Sequence, residues 1–162
     1  MPAYNEEANL PGMIGDVVAV MAERFDDFEV VVTNDGSKDR TGEVLRELVQ
    51  QYPQLRPVDH EVNQGYGAAV FTALSNASKD VIFFTDSDRQ FKLEEIDRLA
   101  AKLSDAEMVV GYRSPRRDPF ARVLFGHGWS SLVTLLFGYT ARDIDCAFKL
   151  CRRHTFNAVA PT

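Results

Sequence analysis

Cysteine is scarce: the 162 residues hold two, and Cys146 and Cys151 stand five apart, a spacing that suits neither a zinc site nor a redox pair. A disulfide-stapled scaffold and a zinc module are thereby set aside, and two free thiols in a reducing compartment are expected. Basic residues are in deficit. Eighteen Lys and Arg against 24 Asp and Glu give a net charge of −6, which argues against nucleic acid as the main partner. Long apolar runs are missing too. The longest stretch free of Asp, Glu, Lys and Arg, Val123 to Ala141, contains three Gly, two Ser and His127. It makes a poor membrane span, and a buried or interfacial helix fits it better. The chain has no repeat, no low-complexity linker and no basic-then-apolar leader pattern. It also lacks an early Gly-rich phosphate loop followed by a basic residue, which disfavours a nucleotidyltransferase.

The remaining composition, 45% hydrophobic and 26% charged, is that of an ordinary globular protein, and the length predicts one domain over residues 1–162. The charge is unevenly spread. Residues 1–110 carry 10 basic and 21 acidic side chains, whereas residues 111–162 carry 8 and 3. An acidic part able to hold a metal is followed by a basic part suited to phosphate or an anionic membrane surface.

Apolar periodicity predicts helices over roughly 7–24, 44–52, 68–77 and 94–103, and strands over 28–32, 56–62, 81–85, 107–111 and 148–151. This alternation implies βαβ units: an α/β fold with a mostly parallel sheet and helices on both faces.

The most informative motif is Asp86-Ser87-Asp88, directly after the apolar run Val81-Ile82-Phe83-Phe84. Two carboxylates one residue apart at a strand's C-terminal end can converge on a hard divalent cation that itself holds a phosphate; the bland alternative is a helix-capping turn. Asn34-Asp35-Gly36-Ser37 also follows a strand, and its acidic side chain can accept from a nucleobase or a ribose hydroxyl. Ser37, Asp39 or Thr41 can equally cap the next helix. Asn63-Gln64-Gly65-Tyr66-Gly67 and Tyr4-Asn5-Glu6-Glu7 occupy comparable junctions, so four loops would ring one crevice.

Together with Pro2-Ala3 before the first loop and Asp143-Ile144-Asp145-Cys146-Ala147-Phe148 near the end, these stretches resemble family 2 glycosyltransferases of the GT-A fold, especially the dolichyl-phosphate mannose synthase and polyisoprenyl-phosphate branch. The resemblance implies that Pro2, Tyr4 and Glu6 flank the base and ribose, that Asp35 reads the base, and that Asp86, Asp88 and Gln90 hold Mg2+ or Mn2+ against a nucleotide-sugar diphosphate. It implies that Arg113, with Arg116, Arg117 and Arg122 nearby, meets the acceptor phosphate, and that Asp143 or Asp145 orients or deprotonates the acceptor. The segment from Phe120 to Tyr139 resembles a helical region lying at the membrane surface. The implied activity is inverting, metal-dependent transfer of a hexose from a UDP- or GDP-sugar to a polyisoprenyl phosphate, by an enzyme peripheral to the cytoplasmic face of a membrane. A soluble or polysaccharide acceptor, or nucleotide binding without turnover, are the alternatives. The family's apolar first strand would precede Pro2 and further sheet and helices would follow Thr162, so both ends are expected to be cut, leaving an unfilled slot in the core.

Overall fold

The computed structural model describes residues 1–87, 91–112, 128–129, 131–136, 138, 143 and 146–159. Strands and helices alternate: β1 (Pro2–Ala3), α1 (Leu10–Ala22), β2 (Val30–Asp35), α2 (Thr41–Gln51), β3 (Leu55–His60), α3 (Tyr66–Asn76) and β4 (Val81–Phe84). A 3-10 turn (Leu93–Glu95) then runs into α4 (Ile96–Ala100), followed by β5 (Met108–Val110), β6 (Lys149–Arg152) and α5 (Arg153–Val159). The first helix begins later than its apolar spacing predicts because residues 6–9 form a turn, in which the Asn9 and Leu10 amides both donate to the Glu6 carbonyl. Pro11 then fits the first turn, where its missing N–H leaves no bond unmade.

β1, β2 and β3 pair in parallel, with Pro2 opposite Thr33 and Asp35 opposite His60. Every residue of β2 is buried, as a strand covered on both faces should be. Val30 and Val32 join a cluster with Leu10, Ile14 and Val17 of α1 and Leu45 and Leu48 of α2. α3 packs against β1 and β2, where small Ala69 and Ala73 are its buried side chains. Thr33 is fully buried, and its hydroxyl has no hydrogen-bond partner.

β6 lies between β4 and β5 and is antiparallel to both, with Phe84 opposite Lys149 and Val110 opposite the same residue. This reversal places the approach to β6, residues 146–148, at the end of the sheet where β4 runs out toward Asp86. Phe148 anchors the arrangement by meeting Phe83 edge-to-face at 4.8 Å, within a cluster that includes Leu99, Leu103 and Leu150.

A largely apolar cavity of about 470 Å³ separates β2 from β4. Val17 and Met21 of α1, Val30 and Val31 of β2, Ala73 of α3, and Ile82 and Phe84 of β4 line it. β1 runs beside only Thr33 and Asn34 of the six-residue β2. Below it the Met1 amine donates to the Val31 carbonyl at 2.8 Å. Burial lowers this amine from 8.0 to about 5, against a weaker upward pull from the Asp86 carboxylate. Glu29 stands at the cavity rim and accepts from Ser78 Oγ at 2.7 Å while pairing with Arg56. Burial alone would raise its pKa, but the Ser78 donors and Arg56 hold it at about 2.

Candidate active site

A second cavity, about 370 Å³ in volume, opens where β1, β2 and β4 end. Pro2, Tyr4, Glu6, Asp35 and Asp86 all line it, joined by Asn63, Gly65, Tyr66 and Ser87. Five residues singled out in the sequence, drawn from three separate loops, therefore face one space.

The loops are fastened to one another. The amides of Asn5, Glu6 and Glu7 donate to Ser37 Oγ, Thr41 Oγ1 and Asp39 Oδ2, at 3.0, 2.8 and 3.2 Å. In return the Lys38 and Arg40 amides donate to Asn5 Oδ1 and Glu7 Oε2, at 2.9 and 2.8 Å. Ser37, Asp39 and Thr41 thus grip the 5–7 loop, and Asp39 also accepts from the Thr41 amide at the start of α2. Gly36 is obligatory here. Its φ is +62°, and a Cβ would stand 2.4 Å from Val62 C and Asn63 N.

Asp35 is 2% exposed and strongly bonded. Its Oδ1 lies 2.7 Å from His60 Nδ1 and accepts the Gln64 amide at 2.8 Å, while Oδ2 accepts the Gly65 amide at 2.9 Å. A carboxylate only accepts, so His60 Nδ1 carries the proton; in the neutral ring Nε2 then accepts from Thr72 Oγ1 at 2.9 Å. Burial would raise the Asp35 pKa, but the Gln64 amide, His60 and the Gly65 amide outweigh it and hold the carboxyl below its usual range. Gly65, at φ +92°, turns the chain into α3, and the next residue, Tyr66, donates its hydroxyl to Asp86 Oδ1 at 2.8 Å. His60 and Thr72 escaped the sequence reading, and Tyr66 was noted there without a role. The only signal for His60 was a histidine inside the strand expected over 56–62, with nothing to tell that it registers against Asp35.

Asp143, offered as a base or orienting group, is 4% exposed and does not line the cavity. Asp88, Gln90, Arg113 and Asp145, with Arg116, Arg117 and Arg122, lie outside the described residues. Among the described residues no group of three His, Cys, Asp or Glu side chains stands ready to hold a metal. Asp86 supplies one hard oxygen donor of the kind Mg2+ and Mn2+ take, and a cation that keeps waters and binds a diphosphate needs few protein ligands. The donor chemistry fits such an ion. His154, 2.6 Å from Glu107 through Nε2, is exposed and remote from the cavity lining.

A family model described as "Glycosyl transferase family 2" matches residues 1–159. Among curated proteins, a dolichyl-phosphate beta-glucosyltransferase of Trichomonas vaginalis is 30% identical over 99% of this chain and 53% of its own length. An undecaprenyl-phosphate 4-deoxy-4-formamido-L-arabinose transferase of Pectobacterium atrosepticum is 31% identical over 98% and 49%. The chain thus spans about half the length of the curated relatives it matches. Among solved structures, a mannosyltransferase from Pyrobaculum calidifontis in complex with GDP-Man and Mn2+ superposes with a TM-score of 0.71 at 22% identity, over 98% of this chain and 44% of that one. Glucosyl-3-phosphoglycerate synthase from Mycobacterium tuberculosis, solved with Mn2+ and UDP-glucose, gives the same TM-score and identity over 98% and 56%. The fold is GT-A.

Proposed function

The chain belongs to glycosyl transferase family 2, and on that premise we propose that it forms the donor-binding part of an inverting, metal-dependent hexosyltransferase whose acceptor is a polyisoprenyl phosphate. The observation that carries this reading is the convergence of Pro2, Tyr4, Glu6, Asp35 and Asp86 on one cavity at the strand ends. The polyisoprenyl-phosphate acceptors in the names of the two curated relatives support the choice of acceptor.

In this reading Asp35 accepts an N–H of the base, while Tyr4 and Glu6 flank the nucleoside. Asp86, with Asp88 and Gln90, holds Mg2+ or Mn2+. When bound, such an ion neutralises the charge that grows on the departing diphosphate. Transfer is a single displacement at the anomeric carbon: the acceptor oxygen forms the new bond as the bond to the nucleotide diphosphate breaks. A phosphate acceptor is already ionised at neutral pH, so Asp143 or Asp145 has to orient it rather than deprotonate it, and Arg113 pairs with its charge. Residues 1–162 act as one domain, peripheral to a membrane at its cytoplasmic face. Among the described residues no helix is long and apolar enough to cross one.

A second reading, nucleotide binding without transfer, is favoured by the burial of Asp143 away from the cavity. One pair of measurements separates them: calorimetric titration of UDP-glucose and GDP-mannose with and without Mn2+, and detergent-solubilised transfer to a short polyprenyl phosphate. Mn2+-dependent binding abolished by Asp86→Ala, together with transfer, supports the first reading. The same binding without transfer or hydrolysis supports the second, and no binding by folded protein overturns both.

A further inference from the structure

We propose that His60 sets the base specificity of the cavity, making Asp35 a single-acceptor reader that takes uracil in preference to guanine. The inference rests on the reading of Asp35 as the residue that meets the base.

A carboxylate offers roughly four acceptor positions, two on each oxygen. His60 Nδ1–H at 2.7 Å and the Gln64 amide at 2.8 Å fill both positions of Oδ1. The Gly65 amide at 2.9 Å fills one position of Oδ2. One acceptor position remains for a ligand in the cavity that Asp35 lines. Guanine presents two adjacent donors, the ring N1–H and the exocyclic amino group, spaced to grip both oxygens of one carboxylate. Uracil presents one ring N–H between two carbonyls. With Oδ1 saturated, guanine would leave one donor unpaired against the buried Asp35 or displace an existing bond, and either is costly. Uracil meets no such penalty.

His60 is well placed to enforce this. It reaches Asp35 from the neighbouring strand β3, opposite it in register, and its far nitrogen is fixed by Thr72 of α3. Its side chain is 8% exposed, so water does not stand in for it. The Gln64 and Gly65 amides by themselves would leave each oxygen with one position open, the arrangement a two-donor edge needs.

The test is calorimetric titration of UDP and of GDP, each with Mn2+, into wild type, His60→Asn and His60→Gln, with the Tm of each nucleotide-free protein as a check on folding. The asparagine amide nitrogen sits as many bonds from Cβ as Nδ1 does, so it keeps the bond to Asp35. The glutamine amide matches Nε2, serves Thr72 and leaves Oδ1 open. Wild type is expected to bind UDP about tenfold or more tightly than GDP, one charged hydrogen bond's worth. His60→Asn should keep that ratio, and His60→Gln should bring it to about threefold or less. A general structural role for His60 would weaken both nucleotides together and leave the ratio unchanged, so an unchanged ratio in folded His60→Gln overturns the proposal. GDP binding to wild type as tightly as UDP overturns it without any variant, while leaving nucleotide binding itself intact. Failure of folded wild type to bind either nucleotide removes the functional reading, and this inference with it.

Discussion

The Tyr66 hydroxyl donates to Asp86 Oδ1 at 2.8 Å, linking the first residue of α3 to the carboxylate that follows β4. The phenol, itself part of the cavity lining, orients that carboxylate as hydrogen-bond partners orient metal ligands. Tyr66→Phe is expected to weaken Mn2+-dependent nucleotide binding about tenfold. Because Tyr66 is 59% exposed, unfolding stability should change by less than about 0.5 kcal/mol. Calorimetry at varied Mn2+ and urea unfolding measure the two effects.

Gly36 admits no side chain. Its positive φ and the backbone of Val62 and Asn63 at 2.4 Å from a Cβ both act against alanine. Gly36→Ala should cost about 3 kcal/mol or more in urea unfolding and abolish nucleotide binding, since the displaced segment carries Asn63 to Tyr66.

Thr33 contributes a buried hydroxyl with no partner. Thr33→Val preserves the shape and removes the unsatisfied polar atom, so it should raise unfolding stability by about 1 kcal/mol. A fall in stability would mean that the hydroxyl has a partner, such as buried water.

Much of this arrangement was legible in the sequence because it is local. Leu10, Ile14 and Val17 announced α1 by spacing, and the acidic motifs announced themselves by following apolar strands. β2 extends three residues beyond the Val32 limit read from hydropathy, because Asn34 and Asp35 hold strand geometry through ladder bonds to β3, which hydropathy does not register. The reversal of β6 was hidden for a different reason: a strand's direction depends on a connection from residue 111 to 148, whose composition does not encode orientation. The Asp35–His60 bond required knowing that two strands offset by 25 residues align at their last residues. Hydropathy told which residues form strands but not which neighbour each one meets.

Asp35 ends β2 and Asp86 follows β4, and these two strands line the 470 Å³ cavity together. Among the described residues, no ladder of backbone hydrogen bonds joins the sheet of β1, β2 and β3 to that of β4, β6 and β5. The span between the two carboxylates is instead tied by consecutive residues at the start of α3: the Gly65 amide holds Asp35 Oδ2, and the Tyr66 hydroxyl holds Asp86 Oδ1. A ligand touching both carboxylates would act as a second tie rod beside that dipeptide, stiffening a gap that no strand ladder bridges among the described residues.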